Sequence, residues 1–361
     1  MSVTRISIIA PMLNEADHID GFVADVADQD FDGEVELLVA DGGSTDGSPE
    51  QLSAAAERRG VRLVVLSNEA GWVSQGLNAC IREATGDLLV RLDCHSRYPP
   101  DYLRRCAAAA EETGALVVGG IIVANGRTRI ERSVACAMDS PFGGIGFYRV
   151  LASDAGPLAR LAGTFGLARD QNVASTGRVD TDTLTFGAFR PQAFELAGFF
   201  DESLRRNQDD EFNLRVRLAG GRVVLDPTIR VHYKPRGSLR HVFRQYFEYG
   251  YWKVAVMTKH RQLPGPRSLV PLALVGSVGL LALAGVQSTT ARRLLSVELA
   301  LYGGLVFAAS AATVRARRES PDLLPSVAAV FPAFHLGYGS GMLVGFARVA
   351  QLALRGRPLT F

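Results

Sequence analysis

Glu34-Val-Glu-Leu-Leu-Val-Ala-Asp41-Gly-Gly-Ser-Thr-Asp46-Gly is an apolar run that ends in a carboxylate and a loop of glycine and serine. It reads as a strand followed by turn signals. Pro49 to Arg59 beyond it is an Ala-rich helix in pattern. Upstream, Ile6-Ser-Ile-Ile-Ala10 is a short β-branched strand, then a Pro-containing turn and the helix-like Asp17 to Asp28. Downstream, Val61 to Leu66 reads as a third strand, Gly76 to Thr85 as a helix and Asp87 to Leu92 as a fourth strand. Strands and helices alternating at this spacing predict βαβ units and a mainly parallel sheet. Ligands of such sheets bind at the carboxyl ends of the strands. The polar residues gather there: Asn14 and Glu15 after the first strand, Asp41 after the second, Asn68 after the third, Asp93 and His95 after the fourth.

Several classes are excluded early. With 361 residues the chain is long enough for two domains or one large one. At 47% hydrophobic and 21% charged residues it is too apolar for a disordered chain. Its 39 Lys and Arg against 37 Asp and Glu leave a net charge of +2, which gives no argument for a nucleic-acid partner. A dinucleotide fold needs GxGxxG between the first strand and helix, where Pro11-Met-Leu-Asn14-Glu15 stands instead. There is no GxxxxGK[ST] phosphate loop either. Cys80, Cys94, Cys106 and Cys136 form no CxxC and read as buried free thiols. No internal repeat is visible, and Thr128 to Thr185 carries no readable motif.

The mean hydropathy of +0.11 is high for a soluble enzyme, and the apolar excess is concentrated near the carboxyl end. Ser268 to Ala291 and Leu323 to Ala347 hold no Asp, Glu, Lys or Arg, and Leu294 to Val314 holds only Glu298. Each exceeds the ~20 residues that a helix needs to cross a bilayer core. Spans are expected at about 268–288, 294–314 and 323–347. Pro332, His335, Gly337, Gly339 and Gly341 interrupt the last, which is expected to kink, re-enter or lie partly in the interface. The amino end has no signal-peptide pattern, since Arg5, Pro11, Asn14 and Glu15 crowd its short apolar run. The expectation is a multi-pass protein of the inner or plasma membrane with its large amino-terminal part in the cytoplasm. Arg315, Arg317 and Arg318 would then share a side with Lys253, Lys259, Arg261 and Arg267, as the positive-inside rule asks. Arg292 and Arg293, and a tail with Arg355 and Arg357, run against that rule.

The strand-end residues admit chemistry as well as local structure. Asp41 could accept hydrogen bonds from a base or ribose, while Ser44, Thr45 and Asp46 suit an Asx turn and a helix cap. Asp93 and His95, two residues apart, could both turn toward one divalent cation, or could simply form a turn. Asp209-Asp210-Glu211 precedes an amphipathic helix. Glu211 suits the helix dipole, and three acids exceed what capping needs, so one is a candidate general base. The aromatic and basic stretch after Gly237, Ser238 to Lys253, suits a membrane interface.

These pieces, in this order, resemble the inverting family 2 glycosyltransferases with the GT-A fold, a Rossmann-like α/β domain that here would precede transmembrane helices. The resemblance rests on Ile8-Ile-Ala-Pro-Met-Leu-Asn14-Glu15, Val39-Ala-Asp41-Gly-Gly-Ser-Thr-Asp-Gly, Gly76-Leu-Asn78-Ala, Leu92-Asp93-Cys-His95, Gly198-Phe-Phe-Asp201-Glu and Asn207-Gln-Asp-Asp-Glu-Phe-Asn-Leu-Arg215. Asp-x-His in place of Asp-x-Asp, together with Arg-Gln-Tyr-Phe-x-Tyr-Gly-x-Trp and the tail Phe334-His-Leu-Gly-Tyr-Gly-Ser-Gly, is most similar to the ExoA-type transferases of succinoglycan-like polysaccharide assembly.

The resemblance implies a glycosyltransferase domain over 1–235, an interfacial region over 236–267 and a membrane region over 268–361. Ala10, Pro11, Asn14, Glu15, Asp41 and Asn68 would hold the nucleotide, with Asn78 near the diphosphate. Asp93 would bind Mn²⁺ or Mg²⁺ bridging the phosphates, with His95 beside it and His232 as a third ligand. The base falls at Asp209, with Asp210 the alternative because Gln208 replaces the usual Glu. Arg236, Gln245 and Trp252 would face the acceptor and lipid. The implied reaction moves a sugar, from a UDP-sugar by preference, to a polyprenyl-linked oligosaccharide, alongside other polysaccharide-assembly enzymes. A polyprenyl-phosphate sugar synthase and a non-catalytic nucleotide-sugar-binding scaffold are the alternatives. A processive synthase would show Gln-x-x-Arg-Trp, where this chain has Gln245-Tyr-Phe-Glu-Tyr-Gly-Tyr-Trp252.

Overall fold

The computed structural model describes residues 2–143, 177–263 and 265–356, so most of Thr128 to Thr185 and Arg357 lie outside the described residues. By its contacts the chain divides into two units. The first holds the described residues 2–123 and 177–233, and the second holds 124–143 and 234–356.

The first unit is built on strands β1 (Arg5–Met12), β2 (Glu34–Asp41), β3 (Leu63–Ser67), β4 (Leu88–Arg91), β5 (Val117–Ala124), β6 (Val179–Asp180), β7 (Ala188–Phe189) and β8 (Val223–Tyr233). They form one sheet in the order β3-β2-β1-β4-β7-β5-β8-β6. Pairing is parallel from β3 through β4. It turns antiparallel where β7 pairs with β4 and β5, and where β6 pairs with β8. The mainly parallel expectation therefore holds for β1 to β4, and the remainder makes the sheet mixed. Val223–Leu225 and Ile229–Val231 both belong to the single strand β8, with Arg222 just ahead of it.

Helices α1 (Ala16–Ala27), α2 (Ser48–Arg59), α3 (Val73–Glu83) and α4 (Tyr102–Thr113) follow the first four strands. Ile19, Phe22 and Val23 of α1 and Leu52 of α2 are buried with Ile6, Ile8, Leu37, Val39 and Val90 of the sheet. At about 25 cal/mol per Å² of apolar surface removed from water, this core supplies the main drive to fold. Ala10 belongs to that core. Its backbone pairs in register with Val39, so its methyl is not available to a nucleotide.

The second unit carries α5 (Arg129–Asp139), α8 (Leu239–His260), α9 (Pro266–Gly285), α10 (Thr289–Ala316) and α11 (Leu324–Leu354), α6 (Pro191–Ala197) and α7 (Gln208–Leu218) belonging to the first. Among the described residues three helices are long and apolar enough to cross a membrane: Arg267–Gly285, Thr289–Ala316 and Pro321–Leu354. The third contains the Pro and Gly interruptions of the sequence. Pro332 lies inside a continuous helix, and the glycines form a packing seam. A Cβ at Gly337 would lie 2.7 Å from the Phe243 carbonyl oxygen, and one at Gly341 would lie 2.1 Å from that of Phe247. At Gly345 the nearest atoms belong to Val254 and Tyr251. Positions rise together along both helices, so α8 and α11 run in the same direction with their backbones in close approach, as small-xxx-small seams allow. Tyr246 stacks on Phe334 at 4.0 Å within the same contact. In consequence 44% of the most apolar stretch of the third helix is buried in the protein, against 6% and 11% for the first two.

All four cysteines are free and buried. Burial pushes the Cys80 thiol up to about 12 and the Cys136 thiol up to about 11. It raises those of Cys94 and Cys106 as well.

Candidate active site

Because β1 to β4 are parallel, their carboxyl ends share one edge, and the strand order reverses between β1 and β4. Ligands bind at such switch points. The Glu15 carboxylate and the His95 imidazole meet across this one, Oε1 to Nδ1 at 2.8 Å. They join the loop after β1 to the loop after β4.

The loop after β2 is laced to the loop after β1. Ser44 Oγ donates to Asp41 Oδ1 at 2.6 Å and accepts from the Asn14 amide at 2.9 Å. Asn14 Oδ1 accepts from the Thr45 amide at 2.9 Å. Asp46 accepts from the amides of Ala16 and Ser48, each at 3.0 Å, and so caps α1 and α2 together. The Ser48 hydroxyl, ahead of the Ala16 amide, holds the Asp46 carboxyl below the usual range. Asp41, read in the sequence as a contact for base or ribose, closes an Asx turn of its own by accepting from the Gly43 amide at 3.2 Å, at the strand end beside Met12. Asn14 adopts φ +54°, a left-handed conformation that Asn tolerates.

Two expected donor residues have structural partners. Asn68 is buried, and its Nδ2 donates to the Trp72 carbonyl at 3.0 Å, closing the turn into α3. Asn78 was expected near the diphosphate. Instead it is buried and exchanges two hydrogen bonds with the backbone of Phe200, at 2.9 and 3.0 Å. A third, at 2.9 Å, goes to Glu202. Its amide is thereby used to hold the segment that leads into the acidic helix. Arg215 holds the same segment from the other side through the carbonyls of Ala197 and Phe199. Its partner is Glu211, fully buried and paired with it at 2.8 Å. That ion pair, more than the helix dipole, explains Glu211.

Asp93 ends the loop from β4, and its amide donates to the Tyr98 hydroxyl at 2.7 Å. Its carboxylate is gripped side-on by Arg91, Nε to Oδ1 at 3.1 Å and Nη2 to Oδ2 at 3.2 Å. Arg91 was not singled out in the sequence, although an arginine closing a strand of Leu88, Leu89 and Val90 is a signal. It is 6% exposed. The same guanidinium interacts electrostatically with Asp209 in the first turn of α7. Burial pushes the Asp209 carboxyl above the usual range, Arg91 opposes that shift, and Asp210 adds to it. The helix starts from Asn207 at φ +61°.

The implied metal site fits only in part. Among the described residues no three His, Cys, Asp or Glu side chains gather as metal ligands. His232 exchanges two backbone hydrogen bonds of 2.9 Å with Arg97, which brings it to the segment carrying His95, but no three-ligand cluster results. A cation held by protein alone does not fit. One carboxylate and one imidazole do suit a cation that arrives with a diphosphate, since Mg²⁺-like ions take one or two protein ligands plus phosphate oxygens.

In the second unit, Gln245 Nε2 donates to the Tyr249 hydroxyl at 2.9 Å and Arg236 is exposed. Trp252 is buried, with its ring against that of Tyr251.

The family model for glycosyl transferase family 2 matches residues 7–169, a range that includes Asp93 and His95 and stops short of Asp209. Succinoglycan biosynthesis protein ExoA of Rhizobium meliloti (strain 1021) is 29% identical over 276 residues, 76% of each chain. Undecaprenyl-phosphate 4-deoxy-4-formamido-L-arabinose transferase of Klebsiella pneumoniae subsp. pneumoniae is 34% identical over 122 residues, 33% of this chain and 37% of that protein. Among solved structures, mannosyltransferase PcManGT from Pyrobaculum calidifontis, in complex with GDP-Man and Mn²⁺, aligns with a TM-score of 0.59 at 20% identity, covering 92% of this chain and 87% of that one. That likeness is one of fold, and it is the GT-A sheet with its strand-end cleft. On the matched domain and the long alignment together, residues 7–169 carry the pattern of a family 2 glycosyl transferase domain, and the likeness to the succinoglycan protein runs over 76% of the chain.

Proposed function

We propose an inverting transfer of one sugar from a nucleoside-diphosphate donor, a UDP-sugar first, to a polyprenyl-linked oligosaccharide in exopolysaccharide or cell-surface glycan assembly. The observation that carries this reading is one buried arginine facing two carboxylates, Asp93 at the strand end and Asp209 at the start of α7. Glu15, Asp41 and Pro11 line the nucleotide side. A divalent ion, Mn²⁺ or Mg²⁺, held by Asp93 and His95 would neutralise charge on the departing diphosphate. Asp209 takes the proton of the attacking hydroxyl. Its raised pKa makes it a better base than an ordinary aspartate near neutral pH. One base and one displacement give inversion, and no second carboxylate nucleophile is needed because the leaving group is already activated.

Residues 1–235 would carry this chemistry on the cytoplasmic face, with 236–267 at the interface and 268–361 in the membrane. The three apolar helices and the succinoglycan relative support that arrangement. Arg236 and Gln245 would meet the acceptor, and other polysaccharide-assembly enzymes would be its partners. The undecaprenyl-phosphate relative favours a second reading, transfer onto a polyprenyl phosphate, but its likeness covers 33% of this chain against 76% for the succinoglycan protein.

The test is Asp209→Asn, assayed by transfer of radiolabelled sugar into the lipid fraction of membranes. Transfer falls by about 10²-fold or more, while the thermal shift given by UDP with Mn²⁺ persists. Full activity there, with loss in Asp210→Asn, would move the base by one residue. A product cleaved by mild acid to free sugar would identify the polyprenyl-phosphate reading. Nucleotide binding without turnover on any lipid acceptor would identify a scaffold.

A further inference from the structure

Arg91 has one donor left over. Nε and Nη2 hold Asp93, while Nη1 is shut off from solvent and meets no acceptor. A buried charged donor without a partner is a standing cost that folding does not leave uncompensated without reason. The guanidinium is also held in place. Its carbon lies 5.8 Å from the centre of the Phe186 ring, and its backbone amide donates to the Gly187 carbonyl at 3.1 Å. Phe186 itself sits at φ +59°, a conformation that a bulky residue adopts only under constraint, and such constraint concentrates at functional sites.

We infer that Arg91 is a sugar-positioning residue, whose Nη1 donates to an oxygen of the transferred sugar held between Asp93 and Asp209. The inference rests on the donor-site reading above and names the class of sugar. A guanidinium is donor-only, so its partner is an acceptor oxygen. The charge of the divalent ion is offset by the diphosphate that brings it, so Arg91 is left with two carboxylates, and a third negative group on the sugar would be surplus charge in a shielded place. The partner is therefore a hydroxyl or ring oxygen of a neutral sugar, and not the carboxylate of a uronic acid.

Calorimetric titration of the detergent-solubilised full chain with Mn²⁺ tests this. The probes are UDP, UDP-glucose, UDP-galactose, UDP-glucuronic acid, GDP and GDP-mannose, on wild type, Arg91→Gln and Arg91→Lys. The quantity read is the ratio of Kd for the nucleotide-sugar to Kd for its nucleoside diphosphate. Both variants raise that ratio about tenfold for the neutral sugar that wild type prefers, the size of a lost charge-assisted hydrogen bond. Arg91→Lys keeps a cation beside Asp93, so it decides the matter if Arg91→Gln does not fold. Parallel weakening of both ligands would overturn the inference, because Arg91 would then act through Asp93 alone. An unchanged ratio, or a wild-type preference for UDP-glucuronic acid, would overturn it too. Wild type that binds none of the six probes would sink the donor-site reading itself, a result visible before any variant is made.

Discussion

The strand ends of the first unit and the α8–α11 seam of the second solve opposite problems. At the strand ends the chain collects charges and unusual backbone: Asp93 with Arg91, Glu15 with His95, and left-handed Asn14, Phe186 and Asn207. Along the seam it removes side chains, and glycine at 337, 341 and 345 lets two helices touch backbone to backbone. The first arrangement trades stability for chemistry, a cost that folding must recover from the core. The second gains packing by close backbone approach, with no side chain in between. Polar crowding thus marks where the protein acts, and side-chain absence marks where it is held.

The seam is the easier of the two to break. Gly341→Leu puts a branched side chain 2.1 Å from a backbone oxygen at its first atom, and should destabilise the second unit by about 3 kcal/mol or more. Gly303→Leu, in an apolar helix where a Cβ meets nothing within 4 Å, should leave the melting temperature in detergent unchanged. Equal effects would mean that helix propensity, not close approach, governs these glycines.

A smaller loss is expected at Asn78. Asn78→Ala strands the amide and carbonyl of Phe200 in a buried place, at about 1–3 kcal/mol. Melting should fall with the rate of transfer, while UDP affinity holds. Lost UDP affinity with an intact melt would return Asn78 to the diphosphate.

The smallest effects sharpen the trade at the strand ends. A carboxyl whose pKa is raised on folding stabilises the protein below its unfolded pKa and loses that stability as pH rises through its folded pKa. At neutral pH Asp209 is therefore a burden, and Asp209→Asn should raise the melting temperature slightly while abolishing transfer. As the base must be ionised, the acid limb of the rate profile should lie above the usual aspartate range. Asp210→Asn removes one cause of the shift and should move that limb to lower pH. A limb that stays in place would mean that Asp209 is not the titrating group.

The elements from β1 to β4 were legible because local patterns decide them: an apolar strand, a turn signal and a helix repeat follow one another within about thirty residues. Asp46 at the start of α2 was legible for the same reason, since a cap is a local event. Arg91 was not, because its meaning depends on Asp209, more than a hundred positions away. The partners of Asn78 were illegible for a related reason. A motif fixes where an amide lies on its helix and says nothing of the Phe200 backbone that comes to meet it. The seam along the last helix was illegible too, because a glycine that would loosen an isolated helix tightens one with a close neighbour.

The four buried thiols leave the native chain open to a kind of measurement. A thiol held so far above neutrality carries almost no thiolate, and thiolate is the form that reacts. Cys80, Cys94, Cys106 and Cys136 are chemically silent toward maleimides in the folded state. One cysteine written at exposed Gln287, in the turn between α9 and α10, would speak alone, and a reagent that cannot cross the bilayer would read from it which face of the membrane that turn occupies.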